Sequence, residues 1–217
     1  MLRTDFVVGW KNIRREDYVG YSCGYDRRQT AVATTNGAGP RNTQIFVLSP
    51  DLVVLHALPG FWHPDDLARE LRFAKRIAKL WEDQGKSVET KTRMYRRMHR
   101  REVYTQSPET YARSTWQNFD AHFERHRGQS ERRDTFLRDA NGEPVTEANG
   151  TWRMKPINVL VHERMSRRPF VAWDDFDLDA FVDYGTLHYD NNRGVDRRHR
   201  EFRGQERLKK QRERATR

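Results

Sequence analysis

The chain contains one cysteine, Cys23, and this count limits its possible redox and metal chemistry. A single thiol cannot form an internal disulfide or complete a dithiol cycle, because a second thiol is needed to resolve the mixed disulfide. It also excludes disulfide scaffolds and zinc sites made of four cysteines. Cys23 would be reactive only if a nearby cation lowered the pKa of its thiol. Arg27 and Arg28 are close in sequence, but an ordinary loop cysteine is the favoured interpretation and a redox role the alternative.

The other candidates for chemistry are two histidines, His122 and His126, which lie four residues apart in a predicted helix. That spacing places both side chains on one helix face, where two imidazoles could bind zinc. The zinc-protease pattern needs a glutamate directly after the first histidine, and Phe123 is there instead. No third ligand is close in sequence. We therefore expect neither a metal site nor any other cofactor, and we keep this pair as the alternative.

The basic charge is concentrated at the end of the chain. The formal net charge is +10, and residues 193–217 contain eleven basic and four acidic side chains. Four of the basic side chains share one face if this tail is helical, namely Arg203, Arg207, Lys210 and Arg214. Such a face predicts contact with nucleic-acid phosphates independent of base sequence, and residues 91–101 could add to it. The alternative is a tail that only keeps the protein in solution.

Hydrophobic patterning predicts the elements of the first part of the chain. Residues 6–10 form a short apolar run typical of a buried strand, and residues 44–48 and 52–58 flank Ser49-Pro50-Asp51 as a hairpin. A helix is predicted over residues 64–83, packed on the hairpin through one apolar stripe. That stripe consists of Leu67, Leu71, Ala74 and Trp81.

The rest of the chain reads as a mainly helical and irregular extension. Helices are predicted over residues 88–104, 108–125 and 156–167, with one helical turn over residues 178–182. The polar, glycine-containing stretch 128–153 is typical of a linker. We therefore divide the chain into residues 1–83, an extension over 84–192 and a basic tail over 193–217.

The order of strand, Pro-Asp turn, strand, Pro-Gly-aromatic and helix resembles the C-terminal half of the thioredoxin-like fold. The motifs that carry the resemblance are Ile45–Asp51, Val54-Leu55, Pro59–Pro64 and Leu67, and residues 5–10 resemble the preceding central strand of that family. The resemblance covers roughly residues 5–83. It implies an α/β fold, an incomplete thioredoxin-like sheet with a packed helix.

Two departures from the family pattern bear on activity. The Cys-x-x-Cys unit of the family precedes the strand that Phe6 would begin, so that unit is missing from this sequence. The family also has a cis-proline before the hairpin, where this chain has Thr43, and Pro40 lies three residues too early. The resemblance therefore implies a domain without its own dithiol active site.

We expect a non-catalytic protein with a binding or scaffolding role toward a protein partner that the sequence does not identify. The first alternative is a nucleic-acid-associated protein that contacts phosphates through residues 193–217. The second is a fragment of a thiol-disulfide oxidoreductase whose active-site half is encoded upstream. The sequence has no apolar run long enough for a signal peptide or a membrane span, so we expect no membrane contact and a cytoplasmic location, or an extracytoplasmic one if the native chain extends upstream.

Overall fold

The computed structural model describes residues 1–10, 35–37, 44–116, 121, 125 and 134–181, and all statements about structure concern these residues. Their architecture is mixed α/β. A two-stranded antiparallel sheet and several helices share one hydrophobic core. None of the described helices is long and apolar enough to cross a membrane.

The predicted hairpin is confirmed. Strand β1 spans Gln44–Leu48 and strand β2 spans Val54–Pro59, and they pair antiparallel with Phe46 opposite Ala57. The hydroxyl of Ser49 accepts a hydrogen bond from the backbone N–H of Val53 at 2.9 Å, which closes the turn. Every residue of β2 is buried, whereas every residue of β1 is only half-buried. The sheet therefore has a buried strand and a more exposed outer strand.

Helix α2 spans Pro64–Glu82 and confirms the predicted helix. Its first turn is stabilised because the His63 side chain accepts from the backbone N–H of Asp65 and because proline is favoured at this position. The face that packs on the sheet is centred on Phe73, Ile77 and Leu80. Leu71 and Ala74 are buried outside that main cluster, and Leu67 and Trp81 are half-buried against it.

Helix α3 spans Val88–Thr105, and the hydroxyl of Ser87 caps its first turn by accepting from the backbone N–H of Thr90. Helices α2 and α3 form an antiparallel hairpin. Arg69 near the start of α2 donates a hydrogen bond to Glu102 near the end of α3, which shows that the two helices run in opposite directions. Helix α4 spans Pro108–Arg113. It ends earlier than the predicted helix over 108–125, although Ala121 and Arg125 are also helical.

The remaining helices complete the core. Helix α5 spans Ile157–Ser166 and is buried on nearly all sides, which fits its apolar sequence. A single turn of 3₁₀-helix spans Trp173–Asp175, and helix α6 spans Leu178–Phe181. Phe176 and Phe181 pack edge to face with ring centroids 5.4 Å apart in the main cluster. The predictions for these segments are confirmed.

The prediction of a linker is wrong for residues 134–153. Three antiparallel bridges order this stretch, and they join Phe136 to Met154, Arg138 to Pro144 and Thr146 to Trp152. Phe136 is fully buried. The polar residues of this stretch make tight turns at Gly142 and Gly150, which both have positive φ. A composition rich in turn residues therefore encodes a compact element here.

The prediction of a buried strand at residues 6–10 is also wrong. Helix α1 spans Leu2–Asp5, and Phe6 directly after it has extended backbone angles. Val7 and Trp10 are 105% and 89% exposed. The apolar sequence is suited to a strand, but the segment does not pair with β1 in this structure.

Candidate functional site

Three histidines and one glutamate form a continuous hydrogen-bonded chain in the core. His56 comes from β2, Glu70 from α2, His99 from α3 and His162 from α5. Nε2 of His56 lies 2.9 Å from Oε2 of Glu70, and Nε2 of His162 lies 3.3 Å from Oε1 of the same carboxylate. Nδ1 of His162 lies 2.9 Å from Nδ1 of His99. These four side chains, which we call the His–Glu chain, therefore connect four elements of the fold.

One arrangement of protons satisfies all three hydrogen bonds of the His–Glu chain. His56 and His162 each donate an Nε2–H to the Glu70 carboxylate, and Nδ1 of His162 accepts from Nδ1–H of His99. The remaining ring nitrogens are Nδ1 of His56 and Nε2 of His99, and both are buried without a hydrogen-bond partner. An unpartnered lone pair is less costly to bury than an unpartnered charge, which favours neutral rings at these two positions.

The burial of these groups controls their ionisation. Burial lowers the pKa of His99 well below its ordinary value, and the neighbouring His162 and His56 lower it further. Burial also lowers the pKa of His56, and this effect exceeds the opposing influence of Glu70. For Glu70, burial would raise the pKa, but its interactions with His162 and His56 outweigh burial and hold the pKa well below the usual value. Glu70 is therefore an ionised carboxylate that accepts hydrogen bonds from two imidazoles.

Aromatic rings enclose the side chains of the His–Glu chain. Phe73 contacts His56, His99 and His162 edge-on, with ring centroids 5.3, 4.7 and 5.1 Å away. The Tyr95 ring lies 4.5 Å from that of His99, and its buried hydroxyl has no hydrogen-bond partner. The His56, Glu70, His99 and His162 side chains are at most 1% exposed, so the His–Glu chain is closed to a substrate in this structure.

The same four residues do not form a metal centre. His162 uses its two nitrogens in opposite directions, so the donors follow one another in a row and do not converge on a point. Among the described residues, no group of three or more histidine, cysteine, aspartate or glutamate side chains could hold a metal ion. The acidic side chains Asp174, Asp175 and Asp177 are included in that result.

A second candidate is the exposed face of α3, which we call the arginine face. It consists of Arg93, Arg96, Arg97, Arg100 and Arg101, all exposed. Their spacing of i, i+3, i+4, i+7 and i+8 places them along one side of the helix. The opposite side carries Tyr95, His99 and Glu102, which are buried, so packing of that side fixes the direction of the arginines.

The arginine face has no counter-ions among the described residues. The two basic residues of α2 that face α3, Arg69 and Arg76, both pair with Glu102. Within the described part of the chain, none of the five arginines has a carboxylate within ion-pair distance, and Arg93 has only a 3.4 Å bond to Thr90. An open groove follows this face and is lined by Val88, Glu89, Thr92, Arg93, Arg96, Arg97 and Arg100.

Most of the sequence-predicted site residues lie outside the described residues. These are Cys23, Thr43, His122, His126, Arg203, Arg207, Lys210 and Arg214. Their roles stay predictions. The His–Glu chain was not predicted from the sequence, because His56, Glu70 and His99 are far apart in sequence and belong to different elements. The one available signal was a polar residue on the buried side of each element, such as His56 within an otherwise apolar strand.

Comparisons of this chain with protein-family models, with characterised proteins and with solved structures find no match.

Proposed function

We propose that this protein is a non-enzymatic binding protein that contacts nucleic-acid phosphates through the arginine face of α3. The observation that carries the proposal is the row of five exposed arginines, which have no counter-ions among the described residues and are held on a helix whose other side is buried. Guanidinium groups bind phosphate oxygens in a planar, bidentate geometry and are less strongly hydrated than ammonium groups. A fixed row of them is therefore suited to a polyanion.

The dimensions of the arginine face agree with a nucleic-acid backbone. Arg93 and Arg100 are seven residues apart, which corresponds to about 10 Å along the helix. Duplex DNA presents one phosphate charge per about 1.7 Å of its axis, so several phosphates lie within reach of this row. The five arginines are accompanied by no asparagine or glutamine in α3, and the exposed Tyr104 lies four residues after Arg100 on the same side of the helix. Binding should show little base preference, because phosphate contacts carry no sequence information and stacking of a base on an aromatic ring is tolerant of sequence.

The basic tail is a second contact in the same proposal. Residues 193–217 add their positive charge to that of α3, whose own sequence contains six basic and two acidic side chains. The thioredoxin-like origin of residues 1–83 remains part of the proposal, with the hairpin and α2 as its support. In this view the hairpin, α2 and α5 form the scaffold that presents α3.

The experiment is a fluorescence titration of the full chain against duplex DNA and single-stranded RNA at low and moderate salt. We expect binding to both, with an affinity that falls steeply as salt rises because phosphate neutralisation releases counter-ions. Full-chain variants with Arg203→Gln and Lys210→Gln measure the contribution of the tail. Absence of binding to either nucleic acid at low salt would contradict the proposal.

A further inference from the structure

The first ten residues expose an unusual amount of apolar surface. The fully exposed Val7 is followed by Val8 at 68% and Trp10 at 89%, and Leu2 in α1 is 47% exposed. Burial of apolar surface stabilises a protein by about 25 cal/mol per Å², so a valine–tryptophan segment in water loses a favourable contribution. Phe6 already has extended backbone angles, with φ −136° and ψ 144°. The segment 6–10 thus has the composition and the starting conformation of a strand that lacks a partner.

The sheet offers an edge that fits such a strand. Among the described residues the sheet has two strands, and β1 is the less buried one. No third strand in the described part of the chain pairs with the outer side of β1. An open edge presents unpaired N–H and C=O groups and readily accepts another strand.

The side chains of β1 add an apolar surface to this edge. Ile45, Phe46 and Val47 are half-buried and already pack on the core. In a strand over residues 6–10, Phe6, Val8 and Trp10 would point to one side and Val7 and Gly9 to the other. A docked strand could therefore place three apolar side chains together beside those of β1. It would also lack charged groups, since residues 6–10 contain none.

We propose that residues 6–10 of one copy of this chain dock as a strand on the β1 edge of a second copy. In the structure the segment lies outside its own sheet, and Asp5 just before it is held by Lys75 of α2 through a 2.9 Å ion pair. A reciprocal exchange uses the same two surfaces on both copies and gives a closed dimer. The two Trp10 side chains alone would bury about 300–500 Å², a substantial part of the roughly 1,200 Å² of a stable interface.

The test is sedimentation velocity of the full chain from low-micromolar to sub-millimolar concentration. We expect a monomer–dimer equilibrium in the unchanged protein and a monomer at every concentration in Val8→Asp, because the charge would be placed in the interface. Val88→Asp is the matched control, since Val88 is 70% exposed and lies on α3. It should dimerise like the unchanged protein. Both valines are exposed, so neither variant should change the thermal unfolding midpoint of the monomer.

Three outcomes would overturn the proposal. The first is an unchanged protein that stays monomeric throughout the concentration range, including one in which hydrogen exchange shows residues 6–10 protected by pairing within the same chain. The second is a Val8→Asp variant that dimerises as well as the unchanged protein. The third is loss of the dimer in Val88→Asp as well, which would place the interface elsewhere. None of these outcomes depends on nucleic-acid binding.

Discussion

Nδ1 of His99 lies 2.9 Å from Nδ1 of His162, and both rings are fully buried. Two imidazole nitrogens at this distance share one proton, since a contact between two N–H groups would be repulsive. The pair is continued by Glu70 and His56, so ionisation of any member affects the others. The free energy of unfolding should therefore depend on pH through the His–Glu chain.

We expect the free energy of unfolding to decrease as the pH falls below about 6.5, the ordinary pKa of histidine. The pKa values of His56 and His99 are lowered in the folded protein, so the unfolded state binds protons first as the pH falls. Stability is then fully present above that pH and is lost below it, by up to about 1.4 kcal/mol per pH unit for each such histidine. Urea unfolding at pH 8, 7, 6 and 5 measures this slope. A flat profile between pH 8 and 5 would contradict the assignment of neutral buried rings.

Replacing His99 with leucine should reduce this pH dependence by removing one of the two buried histidines whose pKa is lowered. His63→Asn is the matched control because His63 is a half-buried histidine at the start of α2, and asparagine can keep its capping role. This control measures the effect of removing a histidine that lies outside the His–Glu chain. Equal slopes in all three proteins would show that His99 does not contribute.

Glu70→Gln should destabilise the protein by about 3–5 kcal/mol, the usual cost of removing one partner from a buried charged network. The amide group cannot accept from both His56 and His162 without presenting its own N–H₂ to a donor. Glu82→Gln, at an exposed position of the same helix, is the control and should change stability little. Chemical denaturation at pH 7.5 compares them, and similar midpoints for the two variants would contradict the role of Glu70.

Phe73→Ala should cost about 3–5 kcal/mol, because it removes a fully buried ring from between three histidines and leaves a cavity. Leu71→Ala, which removes a buried side chain outside the main cluster, should cost about 2–5 kcal/mol. Val88→Ala is the exposed control. Thermal unfolding would rank the three variants, and a Phe73→Ala protein as stable as the control would place the core elsewhere.

The sequence predicted the local elements of this fold well. The Ser49-Pro50-Asp51 turn and the Pro64 helix start follow from short-range chemistry, so the hairpin and α2 could be read directly. The apolar run Phe6–Trp10 was insufficient because a strand also needs an edge to pair with, which is a long-range property. Residues 134–153 were missed for a related reason, since turn residues are typical of both linkers and tight hairpins.

The two candidate sites differ in how far the sequence could predict them. The basic run 91–101 was visible, and helical spacing was enough to place its arginines on one face. Which face would be exposed depended on the burial of Tyr95 and His99, both of which required the tertiary structure. The His–Glu chain could not be predicted, because its members are brought together from residues 56 to 162 only by packing.

The proposed function rests on the arginine face. The double variant Arg96→Gln with Arg100→Gln in the full chain tests most directly whether this face binds phosphates. The matched control is Arg138→Gln with Arg153→Gln, which removes the same charge from arginines that already bond Gly142 and Glu147. The measurement is the slope of log affinity for duplex DNA against log salt concentration. Each lost phosphate contact reduces that slope by about 0.9, so the α3 variant should lose nearly two units and the control almost none. Equal slopes for the two double variants, with both still folded by circular dichroism, would contradict a phosphate-binding role for α3.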